Sequence, residues 1–298
     1  RCLRPEQVVP AVAAAGGYRV DASRFHGSYS ASDLCRIADG GVRRVVHQGP
    51  ALRPGARVHL RCLVVLLAAL LLGGGGGTGD PAAAAITASR SWQLPAAGAR
   101  LACRADGGFL LLDTVGRVLV TDAAGRPRRS WPMPDTAVGR PEGVIELPDG
   151  RIAVADTHYH RVVVFAADGG AWTSFGGKGE GPGAFIYPVG LALDADGLLY
   201  VSEYGGNDRI QVFTTDGVLQ RTFGAFGTGP GAFQRPAGLA CHDGRVYVAD
   251  AHNNRLQVFT TGGAFLASHD DLGLHFLYDV GVGADGHVYV VEYGGNRV

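Results

Sequence analysis

An acidic residue and an arginine recur together along the second half of the chain. In each copy the acid follows an apolar run, and the arginine opens the next run five or six residues later. Such a pair can act as a general acid or base, can bind an anion, or can pin a turn as an ion pair. Because a feature present in every copy marks no unique site, the structural interpretation is favoured. The pairs are Asp156 with Arg161, Glu203 with Arg209, Asp250 with Arg255 and Glu292 with Arg297.

Side chains that follow the acid in the same turns differ from copy to copy. Variable residues on a regular scaffold are where a specific site is expected, and exposed Tyr and His suit a contact surface. The alternative is that they are ordinary solvated turn residues. The predicted ligand-binding set is His158, Tyr159, His160, Tyr204, His252, Asn253 and Tyr293.

Two of these histidines suggest a metal site as an alternative. His158 and His252 take the same place in alternate copies, two residues after the acid, and the copy between them has Gly205 there. A third imidazole from chain beyond Val298 would complete a three-histidine set with an open position, which suits catalytic Zn. The favoured interpretation has no cofactor and no catalytic residue; the alternative holds Zn or Ca at these histidines.

Two glycine-rich stretches, GGKGEGPGAF and GAFGTGPGAF, superficially resemble phosphate-binding loops. A phosphate loop needs a helix start behind it to supply amide groups and a dipole. The segments PVGLAL and PAGLAC follow instead, and both are typical of strands. We therefore expect these stretches to be crossings between sheets, with Phe185 and Phe233 wedged between neighbouring sheets.

The elements that position these residues come from an internal repeat of 40-odd residues, whose turn glycine recurs at Gly150, Gly197, Gly244 and Gly286. Each unit contains four short apolar or alternating runs, with Asp-Gly between the members of a pair, which is a strong hairpin pattern. One four-stranded meander cannot bury both faces, so neighbouring units must cover it. Radial stacking of such sheets is a β-propeller. In that topology the crossings and the second-to-third strand turns lie on one face, called here the loop face.

The unit also resembles a known repeat family. P-x-G-[LVI]-A, then DG, [LV]-Y-V-[AS]-[DE], N-x-R-[IL]-Q-V-F and G-x-G-P-G-x-F are similar to the NHL repeat, well over 141–298 and weakly over 92–140. The resemblance implies an all-β propeller, usually of six blades, of a bacterial NHL protein, and implies no activity. Amidating lyases resemble the family and use channel histidines with a metal. Where their histidines largely lie, this chain has Glu142, Val189 and Ala237.

The chain, from Arg1 to Val298, is interpreted as a fragment carrying about four and a half blades. Residues 1–57 are uncharacterised and match no repeat, and one interpretation is that they are not native. The predicted divisions are 1–57, then 58–86 as an apolar segment and Gly/Ala linker, then an incomplete propeller over 87–298, with blades at 87–140, 141–187, 188–235, 236–279 and a partial blade at 280–298.

Residues 61–72, RCLVVLLAALLL, form the one strongly apolar run. It is too short for a bilayer-spanning helix, which needs about 20 residues. With Arg57 and Arg61 as a basic flank, it resembles the core of a signal peptide; the alternative is a membrane tether. Either interpretation puts the propeller outside the cytoplasm, in the periplasm, on the cell surface or secreted.

The composition limits the classes of partner that we expect for this protein. The 27 basic and 27 acidic residues balance, and Lys178 is the only lysine, so no basic field attracts nucleic acid. Five scattered cysteines form no metal spacing. The favoured function is a monomeric, non-catalytic propeller that binds a protein, peptide or glycan on the loop face. The alternative is a metal-dependent lyase or lactonase-like enzyme, and RNA binding ranks last.

Overall fold

Asp-Gly hairpins organise the chain into antiparallel sheets, as the sequence predicts. Gly197 and Gly217 have φ of 77° and 84°, a region that residues with a side chain rarely adopt. The structure, a computed structural model, describes residues 34–38, 41–45, 98–113, 115–270, 273–283, 286 and 288–292.

Twenty strands lie in the described residues, with two short 3₁₀ turns at Thr157–Tyr159 and Ala251–Asn253. The strands are β1 (Leu34–Ala38), β2 (Gly41–Val45), β3 (Gly98–Cys103), β4 (Phe109–Asp113), β5 (Arg117–Thr121), β6 (Pro127–Pro132), β7 (Gly143–Glu146), β8 (Ile152–Asp156), β9 (Arg161–Phe165), β10 (Trp172–Gly176), β11 (Tyr187–Leu193), β12 (Leu199–Tyr204), β13 (Arg209–Phe213), β14 (Leu219–Phe223), β15 (Pro236–His242), β16 (Arg245–Asp250), β17 (Arg255–Thr260), β18 (Phe265–His269), β19 (Leu277–Val282) and β20 (Val288–Glu292).

These strands form five four-stranded sheets. The first sheet is β3 to β6, the second β7 to β10, the third β11 to β14, and the fourth β15 to β18, each paired in simple up-and-down order. The first strands of consecutive sheets contact one another, β3 with β7, β7 with β11, β11 with β15 and β15 with β19. They are therefore the inner strands, and the propeller expected from the repeat is confirmed.

The fifth sheet differs from the expected partial blade. Its order is β19-β20-β1-β2, and β1 pairs with β20 through Leu34 opposite Val291 and Ile37 opposite Val288. Strands from the segment that matched no repeat thus complete the sheet. The short runs LCRIA and GVRRV carry too little alternation to be assigned to a blade from sequence. The expectation of six blades stays a prediction.

Neighbouring sheets bury apolar side chains between them. Phe185 and Phe233 are both 0% exposed. Phe185 packs in a cluster with residues of the second and third sheets, and Phe233 in one with residues of the third and fourth. The ring of Phe233 lies 5.4 Å from that of Phe259. Both phenylalanines are wedges between sheets, as expected from the glycine-rich crossings.

The P-x-G glycines allow the inner strands to pack closely. A Cβ at Gly190 would lie 2.4 Å from the backbone oxygen of Ala237 in the next sheet. The corresponding positions in the first and fifth sheets hold Arg100 and Asp279, whose Nη1 and Oδ2 are 3.9 Å apart. Side chains therefore occupy this position in the first and fifth sheets, and Asp279 also lies against Gly238 of the fourth sheet.

The apolar run at 61–72, the rest of 58–86 and most of 1–57 lie outside the described residues. In the part of the chain that the structure describes, no helix combines the length and apolar character needed to cross a bilayer.

Candidate functional site

The acid–arginine pair of the fourth sheet is buried. Arg255 Nε donates to Asp250 Oδ2 at 2.8 Å, and the residues are 5% and 0% exposed. The guanidinium also donates to the backbone oxygens of Gly229 and Ala232, at 2.8 Å each. Those oxygens belong to the preceding crossing, so the pair fastens the crossing to the sheet it enters. This geometry fits the structural interpretation.

The third sheet repeats the arrangement. Arg209 Nε donates to Glu203 Oε1 at 2.5 Å, and its Nη2 donates to the backbone oxygens of Gly181 and Ala184. The carboxylate and the guanidinium thus bond to each other and to the crossing, which holds them as one structural unit. The fold therefore uses these residues to order the loop face.

The network has members that sequence analysis missed. Gln257 Nε2 donates to Ala232 O at 2.7 Å and to Asp250 Oδ2 at 3.0 Å, and Gln211 does the same in the third sheet. Asn253, predicted as a ligand contact, donates to Asp250 Oδ2 at 2.8 Å and to a crossing carbonyl. The glutamine recurs in the Q-V-F motif and was therefore visible in the sequence. Its position within a strand did not indicate that its side chain hydrogen-bonds to the acid and the crossing.

Two outer copies complete the series. In the first sheet Arg117 Nε donates to Asp113 Oδ2 at 2.6 Å, a pair missed because its spacing is four residues. In the fifth sheet Glu292 Oε1 accepts the backbone N–H of His275 at 2.6 Å. Its predicted partner Arg297 lies outside the described residues.

The second sheet departs from the pattern. Arg161 Nε donates to Asp156 Oδ2 at 2.8 Å, while its Nη2 donates to Asp135. The other oxygen of Asp156 is buried and has no hydrogen-bond partner among the described residues. Burial raises the pKa of Asp156 above its usual value, and the hydrogen bond from Arg161 opposes this only in part.

This shift predicts a pH dependence for Asp156→Asn. The stability from a raised folded pKa is fully present below the unfolded pKa of about 3.8 and is lost as pH rises through the folded value. Asparagine resembles the neutral acid, so the stability of the variant relative to wild type should increase across that interval. Urea unfolding of both proteins from acid to neutral pH measures this. A relative loss of stability with rising pH would mean that the folded pKa is lowered.

A continuous row of rings crosses the loop face. Tyr187 and Tyr204 are stacked with centroids 5.2 Å apart and an interplanar angle of 27°. The guanidinium of Arg235 lies 4.6 Å from the Tyr204 ring centroid and 5.5 Å from that of Phe276. We call these residues the aromatic row, together with the three histidines that border it: Tyr187, Tyr204, Arg235, Phe276, His158, His160 and His252.

The histidines flank the row at both ends. His158 and His160 lie 6.0 and 5.3 Å from the Tyr187 ring, and His252 lies 5.3 Å from Phe276. The row therefore runs from the second sheet to the fifth. The predicted histidines from separate repeats are thus connected through the rings of Tyr187 and Phe276, which the sequence analysis did not select.

Backbone hydrogen bonds hold the centre of the row. Arg235 and Phe276, each just before an inner strand, both have φ of 55°. The Arg235 N–H donates to Asp208 Oδ1 at 2.5 Å, and the Phe276 N–H donates to Asn254 Oδ1 at 2.7 Å. Positive φ is unfavourable for such residues, so the surrounding turns must stabilise it. The side chains are thereby fixed on the loop face.

The other predicted contacts have local roles as well. The Nδ1 atoms of His158 and His160 bond to the backbone oxygens of Arg140 and Ile186. The Tyr159 hydroxyl accepts the backbone N–H of Val138 at 3.1 Å and lies outside the row. Tyr293 is outside the described residues.

Tyr204 is the polar centre of the row. Burial raises its pKa, nearby Glu142 raises it further, and Arg235 lowers it. The hydroxyl therefore stays protonated at neutral pH and is available as a hydrogen-bond donor.

Comparison with known proteins agrees with this architecture. The NHL repeat family model matches residues 185–213 and 233–259, which begin at the wedges Phe185 and Phe233. The chain is a β-propeller that carries NHL repeats at these residues. No curated protein matches it.

Solved structures share the fold of this NHL propeller. Virginiamycin B lyase from Staphylococcus aureus is 20% identical over 70% of this chain and 69% of that chain, with a TM-score of 0.55. A catalytically inactive variant of that lyase with quinupristin is 15% identical over 91% and 81%, with a TM-score of 0.55. A protein of unknown function from Bacteroides caccae is 16% identical over 69% and 74%, at 0.51. At these identities the likeness shows the fold alone.

Proposed function

We propose that this NHL propeller is a non-catalytic binding protein that takes its ligand on the aromatic row. The observation that carries the proposal is the continuity of the row from the second sheet to the fifth, with Tyr187, Tyr204 and Arg235 half-buried and His252 exposed. Aromatic and arginine side chains supply large contact areas at a low cost in conformational entropy. The ligand is a protein, peptide or glycan.

The surrounding polar groups support binding rather than catalysis. The buried acids Glu203 and Asp250 are saturated by arginine, glutamine and asparagine donors. A general base needs a free acceptor within reach of its substrate. The two acids, for which acid–base chemistry was only the less favoured interpretation, accept hydrogen bonds that hold the turns in place.

A metal-dependent lyase or lactonase-like enzyme is the weaker proposal. Its metal ligands would be His158 and His252, which lie against different rings at opposite ends of the row. Within the described residues, no three His, Cys, Asp or Glu side chains lie close enough together to hold a metal ion.

We also propose that the propeller acts outside the cytoplasm as a monomer, without nucleic acid. The apolar run at 61–72 and its basic flank support export or a tether, and the balance of 27 basic and 27 acidic residues argues against a polyanion.

Removing the two stacked tyrosines tests the binding proposal. The double variant Tyr187→Ala with Tyr204→Ala should lose about tenfold or more in affinity for any ligand found on peptide, protein and glycan arrays, because both rings lie in the centre of the row. Binding is measured by surface plasmon resonance on folded protein.

Trp172→Ala is the matched control, since this ring is 46% exposed on an outer strand and does not belong to the row; the guanidinium of Arg161 lies 5.7 Å from its centroid. It should bind as wild type does. Equal affinity of the double variant and wild type, or equal loss in the control, would contradict binding on the row.

A further inference from the structure

Arg235 is held between two rings. Its guanidinium lies 4.6 Å from the Tyr204 centroid and 5.5 Å from the Phe276 centroid, and those rings belong to different sheets. Its backbone N–H is fixed by Asp208 Oδ1. Contacts with rings leave the N–H donors at the edge of the guanidinium plane unused, because ring faces accept no in-plane hydrogen bond. The group is thus positioned before any ligand arrives.

The donors of Arg235 have no acceptor among the described residues. Its neighbours on the same face differ: Arg209 and Arg255 each pair with a buried acid and donate to two crossing carbonyls. Asp208 does not serve Arg235 as an ion-pair partner, because its two oxygens accept the backbone N–H groups of Arg235 and Gly206. The half-buried guanidinium keeps these donors toward solvent, where a pair of ligand oxygens can accept from them.

The chemistry of the site favours one carboxylate. A single planar guanidinium matches the two oxygens of a carboxylate in a bidentate pair. Phosphate sites typically gather several cations or a helix N-terminus, and here Glu142 lies close enough to affect Tyr204. The Tyr204 hydroxyl is a further donor beside Arg235. A singly charged, planar anion therefore fits better than a phosphate.

The rings also favour a peptide over a glycan. Sugars bind to open aromatic faces, whereas Tyr187 and Tyr204 stack on each other and Arg235 covers a face of Tyr204. With these faces in contact with one another, the Tyr204 hydroxyl and the Arg235 guanidinium are the groups that can bind a ligand, and they suit peptide groups and carboxylates.

We propose that Arg235 binds a carboxylate of a peptide or protein ligand, either its C-terminus or an acidic side chain. This inference rests on the proposed function, because it places the carboxylate within the aromatic row. Arg235 is the anchor that selects acidic ligands, and the tyrosines on one side and Phe276 on the other fix its plane.

Benzoate and its neutral analogue benzamide are the probes. In ¹⁵N-labelled protein, benzoate should shift the Nε–Hε peak of Arg235 saturably, and benzamide at equal concentration should not. Arg235→Gln should weaken benzoate about tenfold or more, and Arg235→Lys should fall between, because lysine keeps the charge and loses the fork. Arg245→Gln, at the opposite end of the same sheet, removes the same charge and should bind benzoate as wild type does.

Several outcomes would overturn the inference. They are an unshifted Arg235 peak, undiminished benzoate binding by Arg235→Gln, or a tighter response to inorganic phosphate, which would make the site a phosphate site. If benzoate and benzamide bind equally and depend on Tyr187 and Tyr204 alone, the inference fails and the proposed function stands. If benzoate binding depends on Arg235 but the array ligands bind the row variants as tightly as wild type, the carboxylate site is supported and the proposed function is contradicted.

Discussion

Replacing Asp250 with asparagine is expected to lower the free energy of unfolding by about 3–5 kcal/mol. The carboxylate is fully buried, and Oδ2 accepts from Arg255, Gln257 and Asn253 at 2.8 to 3.0 Å. An amide NH₂ in this place either faces these donors or turns toward the backbone N–H of Gln234, which donates to Oδ1. Either orientation leaves the guanidinium of Arg255 buried without its counter-charge. Burial raises the pKa of Asp250 as it does that of Asp156. The substitution still costs stability here, because the Asp250 carboxylate accepts four hydrogen bonds, whereas one oxygen of Asp156 accepts none from the described residues.

Chemical unfolding followed by circular dichroism measures this loss. Asp149→Asn is the matched control: Asp149 also pairs with an arginine, Arg151, at 2.6 Å, but its side chain is 51% exposed. Exposed pairs contribute about 0–1 kcal/mol, so the control should stay close to wild type. Similar losses in the two variants would mean that the acid–arginine network does not fasten the crossings.

Phe233→Ala is expected to cost about 3–5 kcal/mol. The ring is 0% exposed and fills the space between the third and fourth sheets, 5.4 Å from Phe259. Truncation leaves a cavity that the paired inner strands cannot close, because β11 and β15 already pack at glycine distance around Gly190. Removing the ring should therefore weaken the packing between the third and fourth sheets, in addition to deleting the contacts of one side chain.

The same crossing provides the control for this variant. Phe226 lies opposite Phe233 in a parallel bridge and is 65% exposed. Phe226→Ala should change the midpoint of unfolding little, whereas Phe233→Ala should shift it strongly. Equal midpoints would show that Phe233 is not a wedge.

The repeat made most of the scaffold predictable. Short-range patterns such as Asp196-Gly197 specify hairpins, and the spacing of Asp250 and Arg255 places both at one turn. Such features depend on neighbours in sequence, so one chain is enough to read them. The NHL resemblance rested on the same local motifs.

The completion of the fifth sheet was beyond sequence reasoning. Leu34–Ala38 and Val288–Glu292 are separated by most of the chain, and a short strand gives no information about a distant partner. Strand pairing of this kind is decided by which sheet edge remains open.

The aromatic row was only half predictable. Tyr204, His158 and His252 were selected because they vary in the turns. Tyr187 and Arg235 occupy the residue before the P-x-G motif, which also varies between copies, but no motif marks that position as part of a site. Its importance arises from stacking across sheets, which no single repeat reveals.

Locating a bound ligand tests the central claim most directly. A crystal structure of the propeller with the strongest ligand from the arrays should place that ligand against Tyr187 and Tyr204 on the loop face, in contact with Arg235. A ligand bound on the opposite face, or on the outer strands near Trp172, would contradict the account.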